Sequence, residues 1–295
     1  MKLLLHSATQ QHVRQLSRQP HGTILLHGPE HTGKFTAAYE VARKANCLGC
    51  KDASCKSCLQ AAALSHPDII VVSPDDKQKI GIQAVHELHH KLVYGRYEQG
   101  QKRVVIIRNA QLVTLVAQQA LLKLLEEPPT DTVIILTATS QTALLETIIS
   151  RCRPIYFSPL KSAVIGNFLV SSQGVEPEIA SQIAQLSNGA VGRAIQLAQD
   201  ADQRARYNQI AEQSQELVDS PQLFSRLQVA QQIASQTDNL QEYLQAIVRW
   251  GRNGARNDVS NLAQNLAAIE RLRRRIEARV SPKAAFEAFA VEVIC

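Results

Sequence analysis

The chain has 295 residues, 45% of them hydrophobic, and a formal charge of +6, a length that suggests two or three domains with sizeable cores. No stretch approaches the roughly 18 apolar residues of a membrane span, and the opening MKLLLHSATQQH is too briefly apolar for a secretory leader, so a soluble cytoplasmic protein is expected. The positive charge permits acidic partners, nucleic acid among them, without requiring them.

The first predicted strand is TILLH, residues 23–27, and it runs directly into GPEHTGKF, Gly28 to Phe35. Beyond it Ala37, Val41 and Ala45 recur at helical spacing. Strand, glycine-rich loop and helix in that order are the setting of a phosphate-binding loop. Gly28 and Gly33 would allow the tight turn, backbone N–H groups would cradle phosphates at the helix N-terminus, and Lys34 would meet the β- and γ-phosphates of ATP or ADP. The pattern calls for Ser or Thr after the lysine, whose hydroxyl holds magnesium, and Phe35 stands there instead. Thr36 comes one residue late for that role.

The helix is followed by CLGCKDASCKSC, which places Cys47, Cys50, Cys55 and Cys58 within twelve residues. Two CxxC pairs on one tight loop suit a closed tetrathiolate site, structural in role, for zinc or an iron–sulfur centre. Further strands are predicted at 68–73, 103–108, 132–138 and 155–157, with helices at 82–93 and 111–127 between them. Alternation of this kind predicts a parallel sheet covered on both faces. The strand RVVIIR ends in Arg108 and Asn109, where a hydrolysing P-loop enzyme would present carboxylates for magnesium and water. Nucleotide binding is compatible with this loop; hydrolysis is not expected.

Past Pro159 helical spacing takes over. We divide the chain into an α/β domain at 1–159, a small helical segment at 160–204 and a larger helical domain at 205–295. In the last, Leu262, Leu266, Ile269, Ile276 and Val280 are expected to form the apolar stripe of a long helix, flanked by the five arginines of RLRRRIEARV, 271–280. Ser281 and Pro282 then open a final helix as N-cap and first-turn residue.

Taken together, HGTILLHGPEHTGK (21–34), the cysteine loop, SHPDIIVV (65–72), KIGIQAVHEL (79–88), QALLKLLEEPP (119–129), SRC (150–152), GAVGRAIQLA (189–198) and the closing SPKAAFEAFAVEVI resemble the clamp-loader branch of the AAA+ ATPases, and within it the delta-prime subunits of bacterial DNA polymerase III. The resemblance runs almost end to end and is most specific in LLKLLEEPP and SRC. It implies an AAA+ P-loop domain with a zinc-knuckle insertion, then a helical lid and an all-α collar. It also implies a place in a pentameric ring with gamma/tau and delta-like subunits, serving a sliding clamp and primed DNA within a complex that has DNA-directed DNA polymerase activity. By position, Arg151 resembles the arginine finger that reaches a neighbour's nucleotide, Arg193 the sensor of the lid, and Thr139 or Ser140 the first polar sensor. Arg108 and Asn109 in place of the acidic pair suit a subunit without intrinsic ATPase. The cysteine spacing departs from the family's usual long gap followed by three closely spaced cysteines. Two other readings are an active gamma/tau-like ATPase subunit and a zinc-containing DNA-binding adaptor that would use the basic 271–279 helix.

Overall fold

The computed structural model describes residues 4–47, 49–50, 52–93, 102–254 and 262–293, which fall into two compact units, Met1–Ile165 with Gly189–Arg193 and Gly166–Asn188 with Ala194–Cys295. Cys295 lies outside the described residues.

The first unit is built on five parallel strands, β1 (Thr23–His27), β2 (Ile69–Val72), β3 (Arg103–Ile107), β4 (Thr132–Ala138) and β5 (Arg153–Tyr156), in the order β2-β3-β4-β1-β5. Their apolar runs are nearly continuous because both faces are covered. Leu25, Val105, Ile107, Ile134 and Leu136 face one core, whereas Ile24, Leu26, Val104, Ile106, Val133 and Ile135 face the other. Against the first core pack α4 (Ile82–Val93) and α5 (Leu115–Glu126), through Val85, Leu88, Leu121 and Leu124. Against the second pack α1 (Ser7–Arg18) and α2 (Lys34–Ala45), through Val13, Leu16, Ala37, Ala38 and Val41. The short helices α3 (Lys56–Ala62) and α6 (Glu146–Ile149) carry the cysteine loop and the SRC segment.

Two boundaries differ from the sequence expectation for physical reasons. The segment expected as one helix at 111–127 splits into a single 3-10 turn at Ala110–Leu112 and α5, because the Thr114 side chain accepts from Ala117 N and starts a new helix. The last strand begins earlier than 155, at Arg153. It pairs along β1 at the sheet edge, where the missing N–H of Pro154 is tolerated.

Helices α7 (Ser162–Gln173), α8 (Pro177–Leu186), α9 (Val191–Gln199), α10 (Ala201–Asp219), α11 (Leu223–Ser235), α12 (Leu240–Gly254), α13 (Leu262–Glu277) and α14 (Pro282–Glu292) make up, wholly or in part, the second unit. Its core joins Leu217, Ile233, Tyr243, Ile247, Leu272, Phe286 and Phe289. The stripe expected on α13 holds in part: Ile269 is buried and Ile276 packs against the core. Ala268, Ile269 and Leu272 are buried, while Leu266 and Val280 are exposed; the side chain of Leu262 is outside the described residues. Val280 falls beyond the helix end and has lost its phase, and small Ala268 was a core position that apolar size did not advertise. Ser281 does occupy the N-cap of α14, without a side-chain cap hydrogen bond. Among the described residues no helix is long and apolar enough to cross a membrane.

Candidate functional site

The loop between β1 and α2 holds its shape through glycine. Gly28 sits at φ +142°, where a Cβ would come 2.4 Å from the Phe157 carbonyl oxygen, and Gly33 caps α2 in the left-handed region at φ +88°. Lys34 is buried, and its Nζ donates to the carbonyls of Gly28 at 2.7 Å and Pro29 at 2.5 Å. Burial pushes the Lys34 amine down to about 8, with Glu30 opposing the shift. The 189–193 loop docks here as well, since Gly192 N donates to the His31 carbonyl at 2.8 Å. His31 is held below its usual value first by burial and then by the charge of Arg193, with Lys34 and Arg108 adding to it and Glu30 opposing. Three cations therefore converge on one turn, next to the N–H groups that open α2. This is an arrangement for an anion.

It is not an arrangement for magnesium. The Phe35 ring lies where the hydroxyl is needed, and the Arg108 guanidinium carbon stands 5.0 Å from the ring centroid. Two oxygen ligands of a hard cation are thus replaced by an aromatic ring and a positive charge that contact each other. Asn109 adopts the left-handed conformation, at φ +54°, and its N–H goes to the Thr137 hydroxyl at 3.1 Å. Of the two candidate first sensors, the Ser140 hydroxyl accepts from Thr142 N and caps the short 3-10 turn that follows. Thr139 N donates to the Gln111 side chain.

Cys47, Cys50, Cys55 and Cys58 converge at the far end of α2, with all four sulfurs within 4.8 Å of one another. The Cys47–Cys50 and Cys50–Cys58 sulfur separations are 3.4 and 3.7 Å. Disulfide sulfurs would lie at about 2.05 Å, and a tetrahedron of thiolates at about 2.3 Å from zinc has edges of about 3.8 Å. The set therefore fits a tetrathiolate metal ion. Burial first, then the neighbouring sulfurs, push the Cys58 thiol up to about 12, with Arg43 opposing; four thiolates coexist here only around a cation. A buried hydrogen-bonded chain braces the loop from below. Asp68 N donates to His66 Nδ1 at 3.1 Å, which places the proton of the neutral ring on Nε2, 2.9 Å from the Ser57 hydroxyl. Ser57 in turn donates to the Asn46 carbonyl at 2.5 Å. Nothing in the spacing of SHPDIIVV predicted this role for His66.

Arg151 lies at the end of α6, exposed. Its Nη2 is 2.6 Å from Glu126 Oε1, and its Nη1 donates to the Thr147 carbonyl at 2.9 Å. The LLKLLEEPP and SRC segments thus meet through a charged pair. Sequence reading missed Glu126, although it belongs to the most specific motif. The neighbouring Cys152 is buried in the core, and burial pushes its thiol up to about 11, so it is inert at neutral pH.

The arginines of α13 are paired: Arg271 and Arg275 with Glu292, and Arg273 and Arg274 with Glu270 or Glu277. These contacts offset part of the positive charge of the helix.

Sheet order and the phosphate loop define a P-loop protein with an AAA+-like fold. A solved structure of a DNA polymerase III gamma subunit-related protein from Thermotoga maritima matches 96% of this chain and 98% of its own length, with a TM-score of 0.51 at 15% identity, a likeness of fold alone. The family model described as "DNA polymerase III, delta subunit" matches residues 6–161, and the chain belongs to that family. Its relatives include the DNA polymerase III subunit delta' of Bacillus subtilis (strain 168), 35% identical over 214 residues that cover 70% of this chain and 61% of the relative. The subunit delta' of Yersinia pestis is 34% identical over 180 residues, covering 58% of this chain and 53% of the relative. The alignment thus spans less than two thirds of either relative.

Proposed function

We propose that this chain is the delta-prime-like subunit of a DNA polymerase III clamp loader, seated in a pentameric ring with gamma/tau and delta-like subunits that opens a sliding clamp on primed DNA. In this reading residues 1–159 form the AAA+ domain, 160–204 the lid and 205–295 the collar through which the ring assembles. The metal is structural zinc, held by Cys47, Cys50, Cys55 and Cys58. Gly28, Gly33, Lys34 and Arg193 form a site for ATP or ADP that does not turn it over, since hydrolysis needs the metal that Phe35 and Arg108 displace. The chain contributes Arg151 instead, in trans. A guanidinium offers planar donors to phosphoryl oxygens and stabilises the charge of the transferring group.

The observation that carries the reading is the exposed Arg151 of the SRC segment, present in a chain whose own loop lacks magnesium ligands. Reconstitution with Arg151→Ala tests it. Clamp- and DNA-stimulated ATPase is expected to fall, by about 10³-fold or more at the one site served. Arg151→Lys should restore little, because lysine lacks the planar fork. Wild-type ATPase and clamp loading with both substitutions would refute the trans role. Turnover by the isolated chain that disappears with Lys34→Ala would favour the active gamma/tau-like reading.

A further inference from the structure

The cysteine loop has a neighbour outside the motif. Arg43, near the end of α2, grips both carboxylate oxygens of Glu40, through Nε at 2.8 Å and Nη2 at 2.7 Å. The guanidinium is thereby fixed in plane, and its remaining nitrogen, Nη1, lies 3.2 Å from Cys58 Sγ. Glu40 and Arg43 are one turn apart on the same helix, with their side chains about one-fifth exposed at 20% and 23% for Arg43 and Glu40. Cys58 is itself buried, so the contact is shielded from water.

We propose that Arg43, oriented by Glu40, is a positioning residue of the metal centre. Its N–H donates to the Cys58 thiolate, and the contact ties the metal loop to the helix that begins at the phosphate loop. The inference rests on the reading of the four cysteines as a metal site. Four thiolates around a divalent cation leave two net negative charges, and a guanidinium N–H on one sulfur offsets part of that excess. Hydrogen bonds to ligand atoms orient them, and their loss typically lowers metal affinity by about 10–100-fold. Glu40 does not cancel this effect, because it occupies the other edge of the guanidinium. It fixes which nitrogen faces the sulfur. The hydrogen bond also withdraws electron density from Cys58, making it less reactive toward electrophiles than a bare zinc thiolate would be.

The test uses the full chain as wild type, Arg43→Ala, Arg43→Lys and Glu40→Gln, each loaded with zinc or with cobalt(II). Metal affinity is read by competition with a chromophoric chelator, and the sulfur-to-cobalt charge-transfer band reports the electron density on sulfur. Arg43→Ala should weaken the site about 10–100-fold and move that band to lower energy, since a sulfur without its hydrogen bond gives up an electron more readily. Arg43→Lys should recover only part of both effects, because a single ammonium cannot serve Glu40 and Cys58 with the same geometry. Glu40→Gln should fall between. A purely structural role would move affinity without moving the band. Unchanged affinity and an unchanged band in a folded Arg43→Ala protein would overturn the proposal. Should that variant fail to fold, an unshifted band in both Arg43→Lys and Glu40→Gln would do the same. Failure of the wild type to take up either metal would overturn the metal reading along with it.

Discussion

The two ends of α2 make an instructive pair. At its start, the phosphate loop keeps the backbone of a nucleotide site, Gly28, Gly33 and Lys34, but has an aromatic–arginine contact where magnesium ligands belong. At its finish, four sulfurs gather between the end of α2 and the first turn of α3, a set that fits a metal ion. One end has a phosphate-loop backbone without the ligands for a metal; the other has a ligand set suited to one, on a short loop braced through Ser57 and His66. The difference shows that the two properties are separable. The phosphate loop takes its geometry from glycines and close backbone packing and needs no bound metal to keep it, whereas the cysteine loop is expected to depend on a bound metal for its shape.

The largest expected effect follows from that dependence. Structural zinc sites in small domains carry of order 10 kcal/mol of apparent binding free energy at neutral pH. Thermal denaturation with and without a strong chelator should therefore show the biggest loss of any single perturbation, accompanied by release of about one metal equivalent per chain. An unchanged unfolding midpoint after metal removal would erase the contrast between the two ends.

A smaller effect is expected at the phosphate loop. Gly28→Ala would push a methyl group to 2.4 Å from the Phe157 carbonyl and hold a non-glycine residue at φ +142°. We expect a loss of about 3 kcal/mol, measured by denaturant unfolding, with metal content unchanged. Metal release in this variant would mean that the two ends are coupled through α2 more strongly than their separate chemistries require.

The most specific effect is a pH dependence. Lys34 titrates at about 8 in the folded chain, against 10.5 ordinarily, because burial disfavours its charge. Between those values the unfolded chain binds the extra proton, so folding stability should rise with pH across roughly pH 8 to 10.5. The groups facing the amine are Glu30, which opposes the shift, and His27 and His31, both held below their usual values and so neutral in this window. Lys34→Met should flatten the rise. Subtracting the two profiles removes the contribution of every other titrating group. A parallel pair of profiles would place the lysine in water rather than against the Gly28 and Pro29 carbonyls.

How much of this could be read in advance depended on whether a feature was local. The strands at 23–27 and 132–138 and the helix at 82–93 stand where their apolar runs placed them, because a doubly covered sheet writes itself as continuous Val, Ile and Leu. The four cysteines were legible for the same reason: their ligand set is contained in one loop. The Glu126–Arg151 pair was not, because it joins residues far apart in sequence and neither spacing nor type announces it. Arg43 was hidden differently. On α2 it looks like an ordinary surface cation beside Glu40, and only the fold of the following loop brings Cys58 to its free edge. The stripe on α13 was partly legible: Ile269 and Ile276 reach the core, whereas Leu272 and small Ala268 hold buried positions that the stripe passed over.

The pairing of Arg151 with Glu126 has a consequence for assembly. If Arg151 serves as the proposed finger, a carboxylate that holds it when no neighbour is present acts as a latch rather than a lock. Both side chains are about one-third to one-half exposed, at 35% and 48%, and contacts of that kind are worth no more than about 1 kcal/mol. A phosphate group with more charge and more acceptor oxygens can outcompete Glu126 at almost no cost, while a neutral surface or a single weak acceptor cannot. In the proposed ring, a polyphosphate offered by the adjoining site would therefore draw Arg151 readily away from Glu126, and the arginine would return once that charge has gone.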